Sequence, residues 1–207
     1  MLRNTALFTR VCALCLTALC LLCLLPACSH SKPPRLEDVY DEAVELIEAS
    51  YAVNDIVFGH GLPVWHYSSE YAELLHVYDK SSTFENVTEY ATVATLDSIK
   101  QRMSAVYSAA YVESLFTPLF DGYAYEEGSM PAQYREDSSR LYQWKGYRPL
   151  VTWQRVYDYA SMRVVGGDEQ TAVIEIDSHL ENEQTTLTVE LVLVWENGEW
   201  RLDTPTY

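Results

Sequence analysis

TLTVELVLVWENGEWRLD, residues 186–203, carries the strongest structural signal in the chain. Apolar side chains occupy every second position from Leu187 to Trp195, which is the period of a β-strand with one buried face. Asn197 and Gly198 follow at once, and this pair is typical of a two-residue type I′ turn between antiparallel strands. The segment therefore predicts a β-hairpin at the end of the chain.

Further strands are predicted upstream of this hairpin. Runs of β-branched and aromatic residues alternate there with polar turn residues and glycines, and Gly166 and Gly167 are expected to end the longest run. The predicted strands are 133–136, 141–144, 152–165 and 171–179. Residues 80–86 and 123–131 are predicted to be loops, because they have no such alternation. The last third of the chain is therefore predicted to be an antiparallel sheet.

The part of the chain after residue 35 begins with a helical pattern. Leu36, Val39, Ala43 and Ile47 recur at three- and four-residue spacing, with acidic residues mostly between them. This predicts an amphipathic helix of about 20 residues that ends before Gly59, with its acidic stripe facing water.

Two shorter helices are predicted in the middle of the chain. Thr95 and Ser108 are suitable N-cap residues for them, and Pro118 is expected to disturb the second. Residues 65–67 and 75–78 are aromatic enough to suggest short strands. The element order predicts an α+β fold, in which N-terminal helices pack on a bent antiparallel C-terminal sheet.

Residues 1–28 have the parts of an export signal. Arg3 and Arg10 form a basic region, residues 11–25 are an uncharged apolar run, and the letters LPAC end the segment at Cys28. The segment resembles a bacterial lipoprotein signal, in which the cysteine after a small residue receives a diacylglycerol and becomes the N-terminus.

This resemblance implies a signal peptide at 1–27, lipidation of Cys28, a tether at 28–35 and a single domain at 36–207. The domain is then held at the extracytoplasmic face of the cell membrane. Ser29 to Arg35 reaches only roughly 20 Å, so the domain lies close to the membrane. An ordinary cleaved signal and an uncleaved anchor helix stay open as alternatives, although a span needs about 20 apolar residues.

The charge of the chain limits its partners. It carries 14 Lys and Arg against 30 Asp and Glu, for a formal net charge of −16. Such a chain is repelled by nucleic acid and by anionic lipid head groups, so nucleic-acid binding is excluded. A basic protein is the favoured partner electrostatically, and an acidic surface that only keeps the chain soluble is the alternative.

The sequence contains no motif of a catalytic, metal or cofactor site. The five histidines are His30, His60, His66, His76 and His179, and the five cysteines are Cys12, Cys15, Cys20, Cys23 and Cys28. The histidines lack the spacing of metal ligands, and no thiol lies beyond the signal. His60, between two glycines, is either a base in an exposed loop or only a polar loop residue. The chain is therefore predicted not to be an enzyme and to need no cofactor.

Aromatic and acidic residues cluster between positions 123 and 147. Tyr and Trp offer large, rigid contact surfaces, so an exposed cluster would suit a basic protein partner, whereas a buried cluster would be core. The candidate contact residues are Tyr123, Tyr125, Glu126, Glu127, Tyr134, Asp137, Tyr142, Trp144 and Tyr147.

Three runs resemble, in their order, the secreted inhibitors of cell-wall D,L-endopeptidases from Firmicutes. They are SIKQRMSAVYSAAYVESLF at 98–116, SSRLYQW at 138–144 and NGEWRLDTPTY at 197–207. The resemblance covers residues 96–204, and the layout is similar to NTF2-like and cystatin-like folds, in which helices cover the concave face of a sheet. Two features differ from that family, since the hairpin here is not glycine-rich and the family members are expected to be freely secreted.

The inhibitor resemblance implies a non-catalytic binding module that restrains a peptidoglycan hydrolase. The lipoprotein signal adds a membrane tether, and the aromatic and acidic cluster makes the segment 123–147 the expected contact. Two alternatives stay open. One is a pocket protein that binds or acts on a small molecule, with Trp153, Tyr157, Tyr159 and Trp195 as candidate lining residues. The other is a structural accessory subunit of an envelope complex.

Overall fold

A long helix and a four-stranded antiparallel sheet are the largest elements of the fold. The computed structural model describes residues 32–65, 84–125, 128–151 and 153–207, all within the compact unit Lys32–Tyr207. Helix α1 is Leu36–Val57, and the sheet contains, in spatial order, β6 (Arg155–Asp168), β7 (Thr171–Leu180), β8 (Leu187–Glu196) and β9 (Glu199–Leu202). The helix contacts β6 and β9. The predicted α+β class is confirmed.

Helix α1 forms as its pattern predicts. Val39, Ala43 and Ile47 are fully buried, while the acidic positions of the helix are exposed. At the N-terminus, Asp38 accepts a hydrogen bond from the backbone N–H of Arg35 at 3.2 Å. The Arg35 guanidinium beside Asp38 holds the pKa of that carboxyl below its usual value. The helix is therefore anchored by its apolar face and begins where a carboxylate satisfies a free N–H.

The C-terminal hairpin is confirmed. Asn197 and Gly198 have φ values of 54° and 89°, as a type I′ turn requires. Leu191 and Leu193 point into the core and pair with Ile174 and Ala172 of β7. The alternating pattern therefore predicts the buried face of β8 correctly at the centre of the strand.

The edge strand β6, Arg155–Asp168, begins and ends three residues later than the predicted range 152–165. It continues through Gly166 and Gly167 to Asp168, so the prediction that the two glycines end it is wrong. The pairing with β7 shifts register after Asp158 and again after Val164. Such shifts bend an edge strand. Gly167, with a positive φ of 119°, is part of this irregular strand and does not end it.

The two shorter helices begin at the predicted caps. Thr95 accepts from Ser98 N–H at the start of α2 (Leu96–Val106), and Ser108 accepts from Tyr111 N–H at the start of α3 (Ala109–Ser114). A short π-helix, Thr117–Asp121, follows and contains Pro118. The predicted disturbance at this proline is therefore present.

Among the residues that the structure describes, five short strands lie between α1 and β6. β1 (Phe84–Asn86), β5 (Arg140–Trp144) and β4 (Tyr134–Asp137) form a three-stranded sheet, and β2 (Tyr123–Tyr125) pairs with β3 (Gly128–Met130). The predicted hairpin of β4 and β5 is confirmed. The loop predictions for 80–86 and 123–131 are wrong where β1, β2 and β3 lie, because three-residue strands are too short to show alternation.

Two predictions fall largely on residues that the structure does not describe. The signal and lipidation segment, residues 1–28, lies outside the described part, as do the predicted strands at 66–67 and 75–78. Among the described residues, no helix is long and apolar enough to cross a membrane.

Candidate functional site

Two of the predicted contact tyrosines belong to the interior. Tyr134 is fully buried and donates a hydrogen bond to the carbonyl oxygen of Ile56 at 2.7 Å. Tyr147 is half-buried and donates to the carbonyl oxygen of Gly59 at 2.9 Å. These hydroxyls satisfy carbonyls at and just beyond the C-terminal end of α1, which no intrahelical N–H reaches. Tyr134 is therefore not part of a contact surface, and Tyr147 has a structural role.

Burial changes the ionisation of both tyrosines. It raises the pKa of Tyr147 to about 12, and it raises the pKa of Tyr134 further still. A phenol that leaves water without a cationic partner is stabilised in its neutral form. Both hydroxyls therefore keep their protons at neutral pH and remain hydrogen-bond donors.

The register of the hairpin would have revealed the burial of Tyr134. A two-residue turn at Ser138 and Ser139 pairs Tyr134 with Gln143 and places it on the same face as Leu141, which is buried. Directly paired residues share a face of the sheet. The aromatic content alone carries no such information about direction.

Tyr142 and Trp144 lie on the opposite face of β5 and are partly buried. The Arg135 guanidinium lies 5.2 Å from the Tyr142 ring centroid and 4.1 Å from that of Phe84, which are cation–π distances. The Trp144 ring packs over Gly146, where an added Cβ would lie 2.3 Å from a ring carbon. Both rings therefore have intramolecular partners that hold them in place.

The ribbon of β2 and β3 is an exposed part of the predicted contact segment. Tyr123 is paired directly with Met130, and their exposed fractions are 45% and 47%. Asp137 is exposed at the turn of the neighbouring hairpin. Glu126, Glu127 and the Tyr125 side chain lie outside the described residues. The structure thus brings Tyr123 together with Met130, a residue that the sequence did not single out.

A second candidate site is a cleft beside the C-terminal half of α1. It has a volume of about 460 Å³, within the range of small-molecule sites. Three aromatic side chains line it, Tyr51 from α1, Trp153 from the segment before β6, and Tyr207. Trp153, which the sequence named as a possible lining residue, is 49% exposed. The other three named residues, Tyr157, Tyr159 and Trp195, do not line this cleft.

An aspartate–histidine pair stands at the edge of this cleft. His60 Nδ1 lies 2.7 Å from Asp55 Oδ1, and the backbone N–H of His60 donates to the same oxygen at 3.1 Å. An added Cβ at Gly59 would lie 2.6 Å from Asp55 Oδ1, so only glycine allows this turn to close on the carboxylate. A carboxylate can only accept, so Nδ1 is the donor in this contact.

Two residues that line the cleft, Asn54 and Thr206, belong to a buried polar network. Thr206 Oγ1 lies 2.6 Å from Ser50 Oγ, 2.8 Å from Asn54 Nδ2 and 3.0 Å from the Tyr107 hydroxyl. Tyr107 in turn donates to Asn54 Oδ1 at 2.6 Å, and Tyr157 donates to the Thr206 carbonyl oxygen at 3.1 Å. Long-range polar contacts of this kind fix the relative positions of α1, α2 and the last residues.

Removing one hydroxyl from this network tests its contribution. We expect Tyr107→Phe to lower the free energy of unfolding by about 1–3 kcal/mol, because Asn54 Oδ1 would lose its donor while remaining buried. Urea denaturation followed by circular dichroism measures the change. The control is Tyr90→Phe, which removes a hydroxyl from a side chain that is 78% exposed. Equal stability of the two variants would contradict the assignment.

Comparisons with known proteins do not assign this chain to a family. No protein-family model matches the chain, and no curated protein matches it significantly. Within the described ranges, no group of three or more His, Cys, Asp or Glu side chains is arranged to hold a metal ion. The fold therefore defines the class as α+β, and any function has to be argued from the two candidate sites.

Proposed function

We propose that the protein is a lipid-anchored binding module at the extracytoplasmic face of the cell membrane, where it restrains a basic peptidoglycan hydrolase. Its contact surface is the ribbon of β2 and β3 together with the turn of the next hairpin. The protein acts by occupying its partner and not by catalysis.

The exposed Tyr123–Met130 pair is the observation that carries this proposal. A two-stranded ribbon is marginally stable in water by itself, and these two side chains leave apolar surface exposed on it. A partner that covers the pair would remove this surface from water and would order the ribbon. Tyr and Met are both enriched at protein interfaces.

Charge supports a basic partner. Asp121 and Asp137 are exposed near the ends of the ribbon and hairpin, and the sequence places Glu126 and Glu127 between β2 and β3. The chain as a whole carries a formal charge of −16. Complementary charge increases the rate of encounter and selects partners of opposite sign. The class of the partner, a wall hydrolase, comes from the sequence resemblance and from the short membrane tether.

A depletion assay tests the contact. The full-length chain in a non-ionic detergent is immobilised and incubated with cell-wall extract at low salt, and the peptidoglycan hydrolase activity left in solution is measured. We expect the unmodified chain to remove this activity. The double substitution Tyr123→Ala/Met130→Ala should bind about tenfold less tightly, because it deletes two apolar contacts.

The matched control is Tyr90→Ala, which removes an exposed aromatic side chain outside both hairpins. It should deplete the hydrolase as well as the unmodified chain does. Charge complementarity is strongest at low salt. A failure of the unmodified chain to remove activity there, or full depletion by the double variant, would therefore disprove this function.

A further inference from the structure

The walls of the cleft beside α1 combine aromatic faces with an excess of negative charge. The aromatic faces belong to Tyr51, Trp153 and Tyr207, and the carboxylates to Asp55 and Glu181. Aromatic rings attract cations through the negative faces of their π systems, most strongly for Trp. A cavity of about 460 Å³ is large enough for a small organic molecule.

Two groups of opposite sign also line the cleft. The Arg155 guanidinium donates to Ser178 Oγ at 3.1 Å, which directs it toward strand β7. The His60 ring is held by Asp55 through Nδ1. The lining contains two carboxylates and one guanidinium, and the net charge of the whole chain, −16, is also negative. The local and the global fields therefore both favour a positively charged occupant.

The two carboxylates come from separate segments of the cleft lining. Asp55 is fixed by two contacts from His60 and by the glycine that lets the turn approach it. Glu181 is placed at the other wall, where its backbone N–H donates to the Gln154 carbonyl oxygen at 2.9 Å. Gln154 follows Trp153 in the chain. This backbone hydrogen bond therefore joins the segment that carries the Trp153 ring to the segment that carries the Glu181 carboxylate.

We infer that this cleft binds a small organic cation of the ammonium class, with its charge against Trp153 and Tyr51 and balanced by Asp55 and Glu181. The inference does not depend on the proposed hydrolase contact, because the ribbon of β2 and β3 does not line the cleft. The sequence analysis favoured a protein-binding module and gave a small-molecule pocket only as an alternative. The cleft would add such a ligand site to the protein.

Choline is a suitable probe, since it presents a quaternary ammonium group of the right size for an aromatic site. Binding to the full-length chain in a non-ionic detergent is followed by line broadening of the choline methyl protons. We expect a dissociation constant of about 1 mM, as is ordinary for a weak small ligand. The uncharged isostere, in which carbon replaces the ammonium nitrogen, should bind about tenfold more weakly because it loses the cation–π and charge terms.

Paired variants separate the site from the rest of the surface. Glu181→Gln should weaken choline binding about threefold to fivefold, whereas Glu183→Gln, in the same turn but not in the cleft, should leave it unchanged. Trp153→Ala should weaken it about tenfold, whereas Trp195→Ala, a similarly exposed tryptophan elsewhere, should not. All four changes are at exposed side chains, so unchanged circular dichroism is expected and checks the fold.

Several results would overturn the inference. Equal binding of choline and its uncharged isostere would show that the cleft recognises apolar surface and not charge. Equal behaviour of Glu181→Gln and Glu183→Gln, or of the two tryptophan variants, would place binding elsewhere. No line broadening by the unmodified chain would exclude an ammonium site. Loss of choline binding would leave the hydrolase depletion assay unaffected, so the two proposals fail independently.

Discussion

Leu193→Ala is expected to lower the free energy of unfolding by about 2–5 kcal/mol. Leu193 is fully buried in strand β8, where it pairs with Ala172 of β7 on one side and Leu202 of β9 on the other. Truncation would leave a cavity on the buried face of the sheet, which the ladder of backbone hydrogen bonds prevents from closing, so the lost transfer energy and the cavity term add. Urea denaturation followed by circular dichroism measures the loss.

Leu187→Ala is the matched control. It makes the same chemical change in the same strand and on a position of the same parity, but Leu187 is 54% exposed. We expect a change within about 0.5 kcal/mol, as for most surface substitutions. Similar losses for the two variants would mean that β8 is not buried at its centre, and the register of the sheet would then be wrong.

Cys28→Ser is expected to abolish lipid attachment completely. In the lipoprotein family that the segment resembles, the diacylglycerol is attached to the sulfur atom of the cysteine. A serine hydroxyl is not a substrate for that reaction. Cells grown with a labelled fatty acid should incorporate label into the unmodified chain and none into the variant. The variant should also leave the membrane fraction or accumulate with its signal uncleaved.

Cys23→Ser is the control for the lipidation experiment. It changes a cysteine of the apolar run, five positions before the proposed site, and should keep both label and membrane fractionation. Equal labelling of Cys28→Ser and the unmodified chain would contradict the assignment. Absence of label from the unmodified chain would instead favour one of the two alternatives, an ordinary cleaved signal or an anchor helix.

Local sequence signals predicted the secondary structure well where they were strong. The three- and four-residue spacing in α1, the N-caps Thr95 and Ser108, and the Asn197-Gly198 turn each act through neighbours in the chain. The same signals failed where an element was short or irregular. The ribbon of β2 and β3 has only three residues in each strand, and β6 runs past its glycines because bulges take up the change in register.

The exposure of the candidate contact segment 123–147 was likewise predicted correctly in part. Aromatic and acidic content pointed to the segment 123–147, and Tyr123 is indeed exposed there. The content did not reveal that Tyr134 and Tyr147 donate to carbonyls at the end of α1, which lie far away in sequence. Of the aromatic residues that line the cleft, only Trp153 was named from the sequence, because the three rings come from separate segments, at positions 51, 153 and 207.

The α+β class, the exposed acidic face of α1 and the closing hairpin could all be predicted from the amino-acid order, because periodicity, capping and turn chemistry depend on nearby residues. The folded chain was needed to show which tyrosines face water, how the network around Thr206 joins α1 to the end of the chain, and where carboxylates meet aromatic rings. Those features depend on contacts between residues that are far apart in sequence, and a burial direction is set by the partner element and not by the residue type.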